Sequence, residues 1–318
     1  MMTVAAKILN EGNARWAFVA LVVVQAVIYG ANNVVMKAAY ADIAPMWCAV
    51  LRFGIALAVF MAFFGRTVVA DLRRVSPRAW LPSALCMAGA FLTSSLAVDL
   101  TSATNAGFFI ALPMLFTPLL ALVMLGRAYR LSTIALQALV LVGLYLLCCN
   151  GGSLSFGAGE VVGLASSVFF AAALVFGERG LGDVSAATLS VVQIGATFLA
   201  AVPLAAAFEP APDVAAVSGM SWAAVAFLAL AGTCLAFLLQ NTALSRVPSA
   251  TVSVILCAEP VITAVLSGIV LGEALSGVGI VGAVVIVACT VAATLLDSRE
   301  PEGAEGDDMP AGSELQRA

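Results

Sequence analysis

Ten apolar stretches, each about as long as the ~20 residues a helix needs to cross a bilayer, follow one another along this chain with mostly short polar gaps. A backbone in lipid must satisfy its own hydrogen bonds, so stretches of this length read as helices. The chain is 63% hydrophobic and 10% charged, which leaves too little polar surface to cover a water-soluble globule. The expected fold is an all-α integral membrane protein with ten transmembrane helices.

The crossings are expected at Trp16–Lys37, Pro45–Phe64, Trp80–Asp99, Ser102–Leu125, Ser132–Asn150, Ala158–Phe176, Val184–Phe208, Ser221–Leu244, Ser249–Leu271 and Gly277–Leu296. They divide the chain into a cytoplasmic N-terminus (1–15), a first five-helix repeat (16–150), a Gly/Ser-rich connector (151–157), a second repeat (158–296) and a tail (297–318). The tail is polar and acidic and reads as disordered and cytoplasmic. Lys7 and Arg15 precede an apolar run that is too long for a signal core, so the first helix is expected to be retained. With the N-terminus inside, all the basic residues except Lys37 and Arg52 fall in cytoplasmic segments, which puts both chain ends in the cytoplasm of an inner-membrane protein.

Five crossings per half, duplicated, make the halves inverted. Ser102-Ala103-Thr104 recurs as Ser249-Ala250-Thr251 at an offset of 147, and Thr117 and Leu125-Gly126 recur as Thr263 and Leu271-Gly272 at an offset of 146. Inverted halves with interrupted helices at matching depth are the sequence mark of secondary transporters, whose sites lie near the midplane.

Few groups in the spans carry chemistry. Glu259 lies ten residues into the ninth stretch, about 15 Å deep at ~1.5 Å per residue. It must face protein or water, be paired, or be protonated. Pro260 removes a backbone hydrogen bond beside it, and Pro113 and Pro118 interrupt the corresponding stretch of the first half. Glu259 fits a shared coupling site or a purely helix-locking role. Arg52 lies about 10 Å in from the outer end of the second helix. It suits an anionic group, a partnership with Glu259, or a structural link to a carbonyl.

Further cavity candidates are Asn32 and Asn33 with Tyr29 and Lys37, then Thr93, Asn105, Gln240 and Asn241. Such groups serve as interhelical glue as often as ligand contacts. Gly159-x-x-x-Gly163 and Gly268-x-x-x-Gly272 suit close helix packing. Seven cysteines without a Cys-x-x-Cys spacing, and no histidine, argue against zinc or iron–sulfur sites. No metal, cofactor or nucleic-acid partner is expected. A small-molecule substrate and membrane lipid are, and monomer and homodimer both stay open.

Tyr29-Gly30-Ala31-Asn32-Asn33 with Lys37, followed by Pro45 and Leu51-Arg52-Phe53, resembles the opening of EamA-type members of the drug/metabolite transporter superfamily. Asn241 to Ala250 is similar to that family's second-half Ala-Leu pattern, and Ala258-Glu259-Pro260 with Leu271-Gly272-Glu273 to its Glu-Pro…Leu-Gly-Glu pattern. The first half departs from the pattern, with Arg127 where an acid is usual. The resemblance implies a ten-helix, two-repeat carrier of small metabolites or drugs, most often outward.

The leading expectation is therefore a secondary transporter working by alternating access, one five-helix half rocking against the other. Proton coupling is an option, with Glu259 foremost and Glu178 or Glu160 behind it, since a desolvated carboxylate is the natural proton exchanger in a chain without histidine. A channel, or a non-transporting sensor or scaffold, is the alternative. A membrane-embedded enzyme fits less well, because no buried ionisable groups have catalytic spacing.

Overall fold

The computed structural model describes residues 2–101, 108–126, 131–149, 157–271 and 276–297, and every element among them is helical. In chain order these are α1 (Met2–Ala39), α2 (Pro45–Arg74), α3 (Pro77–Leu100), α4 (Pro113–Leu125), α5 (Leu131–Cys149), α6 (Ala158–Gly180) and α7 (Ala186–Phe208). Then follow α8 (Gly219–Leu244), the two pieces α9a (Ser249–Leu256) and α9b (Glu259–Leu271), and α10 (Gly277–Asp297). Among the described residues, eight helices are long and apolar enough to cross a membrane, and two shorter apolar helices, Ile134–Cys148 and Gly277–Ala292, accompany them. The chain is a multi-pass helical membrane protein. Residue 150 and residues 151–156 of the connector, the tail beyond Asp297, and Gly272 and Glu273 lie outside the described residues.

Three helices differ from their sequence expectation. α1 is already helical from Met2, and α2 continues past Phe64 to Arg74. The expected eighth crossing is helical throughout but contains a π-helical turn, Leu230–Leu235, which no composition rule announces.

Proline chemistry explains the interruption of the fourth stretch. Helix over 108–110 stops at Ala111 and Leu112, and α4 begins with Pro113 at its first turn. Pro113 has no N–H to offer the Phe109 carbonyl, and Ser167 of α6 donates its hydroxyl there instead. Pro118 likewise leaves the Met114 carbonyl without its helical donor, and Gln137 Nε2 of α5 fills the vacancy at 2.6 Å. The ninth stretch breaks at Cys257 and Ala258, positions offset by 146 from Ala111 and Leu112.

The two halves of the chain are interleaved rather than set side by side. α1 packs on α8 and α9, α2 on α7 and α8, α3 on α6 and α7, α4 on α6 and α9, and α5 on α10. Glycines permit the closest of these crossings. A Cβ at Gly30 would lie 2.5 Å from Ile262 Cγ2, and one at Gly159 would lie 2.6 Å from Thr101 Cβ.

Carboxylates from neighbouring segments cap the helix N-termini, where backbone N–H groups lack helical acceptors. Glu209 accepts from the Met46 and Trp47 N–H groups of α2 at 3.0 and 3.1 Å. Asp42 accepts from Ser218 N at 3.0 Å and Ser221 Oγ at 2.6 Å at the start of α8. The α1–α2 and α7–α8 connections thus cap each other's next helix. Asp71 takes the same part for α7, through Ser185 and Thr188, and Glu178 for α9a, through Ser249 N at 2.9 Å.

Candidate functional site

Gln25, Tyr29, Asn32 and Asn33 recur at helical spacing, so one face of α1 presents a polar stripe to α8 and α9. Gln25, Tyr29 and Asn32 are buried, and Asn33 is half-buried. Gln25 Nε2 donates to Gln240 Oε1 at 2.7 Å. Asn32 Nδ2 reaches the Gly232 carbonyl at 3.4 Å. Asn33 Nδ2 donates to Glu259 Oε1 at 2.9 Å and to Thr263 Oγ1 at 3.1 Å.

Arg52 projects from α2 toward the π turn of α8 and is only 6% exposed. Its Nε donates to Thr233 Oγ1 at 2.5 Å and its Nη2 to the Gly232 carbonyl at 2.8 Å. Thr233 in turn donates to the Leu228 carbonyl, five residues back, at 2.9 Å, which pins the wide turn. The guanidinium lies 5.3 and 5.6 Å from the ring centroids of Phe53 and Phe91, a cation–π setting that lessens the cost of burying it. A Cβ at position 232 would stand 2.1 Å from Asn32 Oδ1, so glycine is what lets α1, α2 and α8 meet. The structural link to a carbonyl is present. Direct hydrogen bonding to Glu259 is not, because the π turn takes the Arg52 donors first.

Glu259 is the first residue of α9b, so the break in the span sets a helix N-terminus, favourable to negative charge, at its carboxylate. Glu259 is half-buried, and its second oxygen has no protein donor among the described residues. The buried Tyr29 hydroxyl comes close to Gln25 but makes no hydrogen bond of ordinary geometry. Asn32 Oδ1 is also buried without a partner. A buried polar atom left unpaired costs about 1–3 kcal/mol, so these two atoms are the natural points for water or solute to meet the cluster.

The other predicted residues separate from this cluster. Asn241 Nδ2 donates to Ser190 Oγ at 2.9 Å and Gln193 Oε1 at 2.8 Å, and Gln193 continues to Ser83 and the Ala173 carbonyl. That chain ties α3, α6, α7 and α8 together. Thr93 bonds back to Gly89 of its own helix at 2.6 Å. Pro113 and Pro118 break α4, and Pro260 follows Glu259 at the start of α9b. Glu160 caps its own helix at Gly157 and meets Thr101, while Glu178 caps α9a, so both secondary coupling candidates are engaged at helix ends. The side chain of Lys37 and all of Asn105 lie outside the described residues.

Sequence reasoning missed Gln25, Thr233 and Thr263. Gln25 and Thr263 each stand four residues from a candidate on the same helical face, a readable signal, whereas Thr233 depends on the π turn. Among the described residues no group of three His, Cys, Asp or Glu gathers as a metal site. A hollow of about 420 Å³ beside α4 and α5 is wholly apolar, lined by residues such as Phe108, Leu112 and Tyr145.

The sequence pattern described as "EamA-like transporter family" matches residues 16–149 and, a second time, 157–295. An "Uncharacterized transporter" of Archaeoglobus fulgidus is 25% identical over 270 residues, covering 85% of this chain and 83% of that protein. The "Threonine/homoserine exporter RhtA" of Salmonella typhimurium is 28% identical over 170 residues, covering 52% of this chain and 55% of that protein. A solved structure titled "Crystal structure of protein" superposes with a TM-score of 0.77 at 22% identity, covering 89% of this chain and 98% of that one.

Proposed function

The chain belongs to the EamA-like transporter family, and from that premise we propose that it is a secondary transporter exporting small metabolites or drugs across the cytoplasmic membrane by alternating access. The observation that carries the reading is Glu259, half-buried in a broken span and held by Asn33 of α1. The matching break at Ala111 and Leu112 supports a midplane site between repeats. The outward direction is supported by the exporter name of the Salmonella relative.

Ten crossings in two inverted repeats, about 16–150 and 158–296 around a connector at 151–157, belong to the same proposal. The doubled family match supports the repeats. So does the reciprocity of packing: helix n of one half and helix n of the other meet mirrored sets of partners, as α1 with α8 and α9 against α6 with α3 and α4. Both termini are then cytoplasmic. Because the halves interleave, alternating access on this packing slides helices across shared interfaces, and the rocking of two separate five-helix bodies is set aside.

Within the site, we assign Glu259 to coupling and Arg52, Asn32, Asn33 and Tyr29 to the cavity, with Gln240 as a support for Gln25. Proton coupling is tested in proteoliposomes carrying an imposed pH gradient. Glu259→Gln is expected to abolish the dependence of solute flux on that gradient. Retained dependence refutes the assignment. Metabolites in the medium of overexpressing and deletion strains identify the solute and test export itself, and equal media reject it.

A further inference from the structure

α2 and α7 pack against each other, and each is capped at its start by a carboxylate from the far end of the other. Glu209, the residue that closes α7, accepts from Met46 N at 3.0 Å and Trp47 N at 3.1 Å at the start of α2. Asp71, in the last turn of α2, accepts from Ser185 N at 3.2 Å, Ser185 Oγ at 2.8 Å and Thr188 Oγ1 at 2.6 Å at the start of α7. The pair is clasped at both of its ends.

Between the clasps the two helices meet through glycine. A Cβ at Gly54 would stand 3.0 Å from Phe198 Cε2, and one at Gly195 would stand 3.7 Å from Leu57 Cδ1. Each helix thus offers a glycine to the other's larger side chain, and small residues of this kind let helix backbones approach closely. The two contacts correspond. Gly54 and Leu57 recur as Gly195 and Phe198 at an offset of 141, which also separates the first residues of α2 and α7. Arg52 lies two residues before Gly54, so the guanidinium stays near this crossing when the ends of α2 move.

Apolar helix faces lose little when they part into lipid, because acyl chains are as apolar as leucine. The polar links at the two ends therefore decide whether the pair stays shut. Asp71 and Glu209 are half-buried rather than sealed, so water can take up the N–H groups of a released helix start.

Resting on the transport reading above, we infer that Asp71 and Glu209 are alternating latches of the transport cycle. Both are closed in this structure. With the chain ends cytoplasmic, Asp71 is the inner latch and Glu209 the outer one. Release of Asp71 tilts α2 from α7 about the Gly54–Gly195 crossing, which parts their inner ends and presses their outer ends together. Release of Glu209 does the reverse. Both carboxylates are positioning residues that act on helix ends, away from the Glu259 cluster.

The test follows amide hydrogen exchange by mass spectrometry, on the full chain in lipid nanodiscs, in peptides covering residues 45–51 and 185–191. Asp71→Ala frees the Ser185 amide, which exchanges faster whether the cap is a latch or a local support. The latch adds a distant effect. In Asp71→Ala the 45–51 peptide, held by Glu209, should exchange about two- to fivefold more slowly than in the parent, as when a two-state population is tipped to one side. Glu209→Ala should show the mirror image, with the 185–191 peptide slowed. Asp71→Asn and Glu209→Gln keep an acceptor oxygen while losing the charge, and they guard against alanine variants that fail to fold. They should show the same reciprocity. A far end whose exchange is unchanged in the folded variants overturns the latches. So does a chain that folds with none of the four substitutions, since the caps would then serve the fold alone. No solute enters this measurement, so its failure is read apart from the transport reading, which the strain comparison tests.

Discussion

Gly232 shows how a single residue sets the geometry of the site. Its carbonyl receives both Arg52 and Asn32, and its missing side chain is the space that Asn32 occupies. A methyl group there meets the Asn32 amide at 2.1 Å, so Gly232→Ala must push α1 away or turn the amide. Either shift removes the Arg52 contacts from register. We expect about 1–3 kcal/mol of lost stability, the usual cost of overpacking, together with at least a tenfold loss of flux. Thermal melting in detergent and proteoliposome efflux check this. Native stability with native flux would show that the close approach is not required. Glu259 is legible in the amino-acid sequence alone, because a carboxylate that deep in an apolar run is costly unless it faces protein or water. Asn33 is legible only as one of several amides, because sequence does not reveal which face of α1 meets α9.

At the level of elements, the proline breaks are held by donors from neighbouring helices. Gln137→Leu leaves the Met114 carbonyl without a donor, and we expect about 1–3 kcal/mol of destabilisation. Pro118→Ala restores the helical N–H to that carbonyl, so in the Pro118→Ala background the same Gln137→Leu change should cost much less. Equal costs in both backgrounds, measured as a double-mutant cycle by thermal melting, reject this account. The helix caps make a separate prediction. Hydrogen bonds from Ser218 and Ser221 hold the Asp42 carboxyl below the usual carboxylate range. A depressed folded value means the cap contributes fully above the ordinary pKa of about 3.9 and fades as pH falls through the lower folded value. Asp42→Asn should therefore melt earlier than the parent at pH 7, with the difference closing in the acid range. A gap that persists there unchanged would contradict the assigned cap. The helices themselves are legible from apolar length. The π turn and the exchange of caps between α1–α2 and α7–α8 are not, because they are made by contacts more than 150 residues apart along the chain.

For the molecule as a whole, interleaving has a direct consequence. α1, α2, α3 and α5 of the first half make their main contacts with helices of the second half, so residues 1–150 lack partners when made alone. Expressed separately, neither half should accumulate as a monodisperse species. Co-expressed as 1–153 and 154–318, the two should co-purify in equal amounts and recover flux. A first half that is stable and monodisperse by itself would refute the interleaved account. The sequence determined the membrane class, the helical content and the family, because hydrocarbon penalises any unpaired backbone group and so dictates the length and composition of each span. It also marked Glu259 and the prolines, since both are costly in a bilayer. Only the tertiary structure decided that Arg52 turns to a π-helical carbonyl, that Asn241 is spent on packing, and that Asn33 holds the acid. Those outcomes depend on which helix faces lie together, and spans this uniformly apolar carry too little amphipathic asymmetry to fix their rotation from sequence.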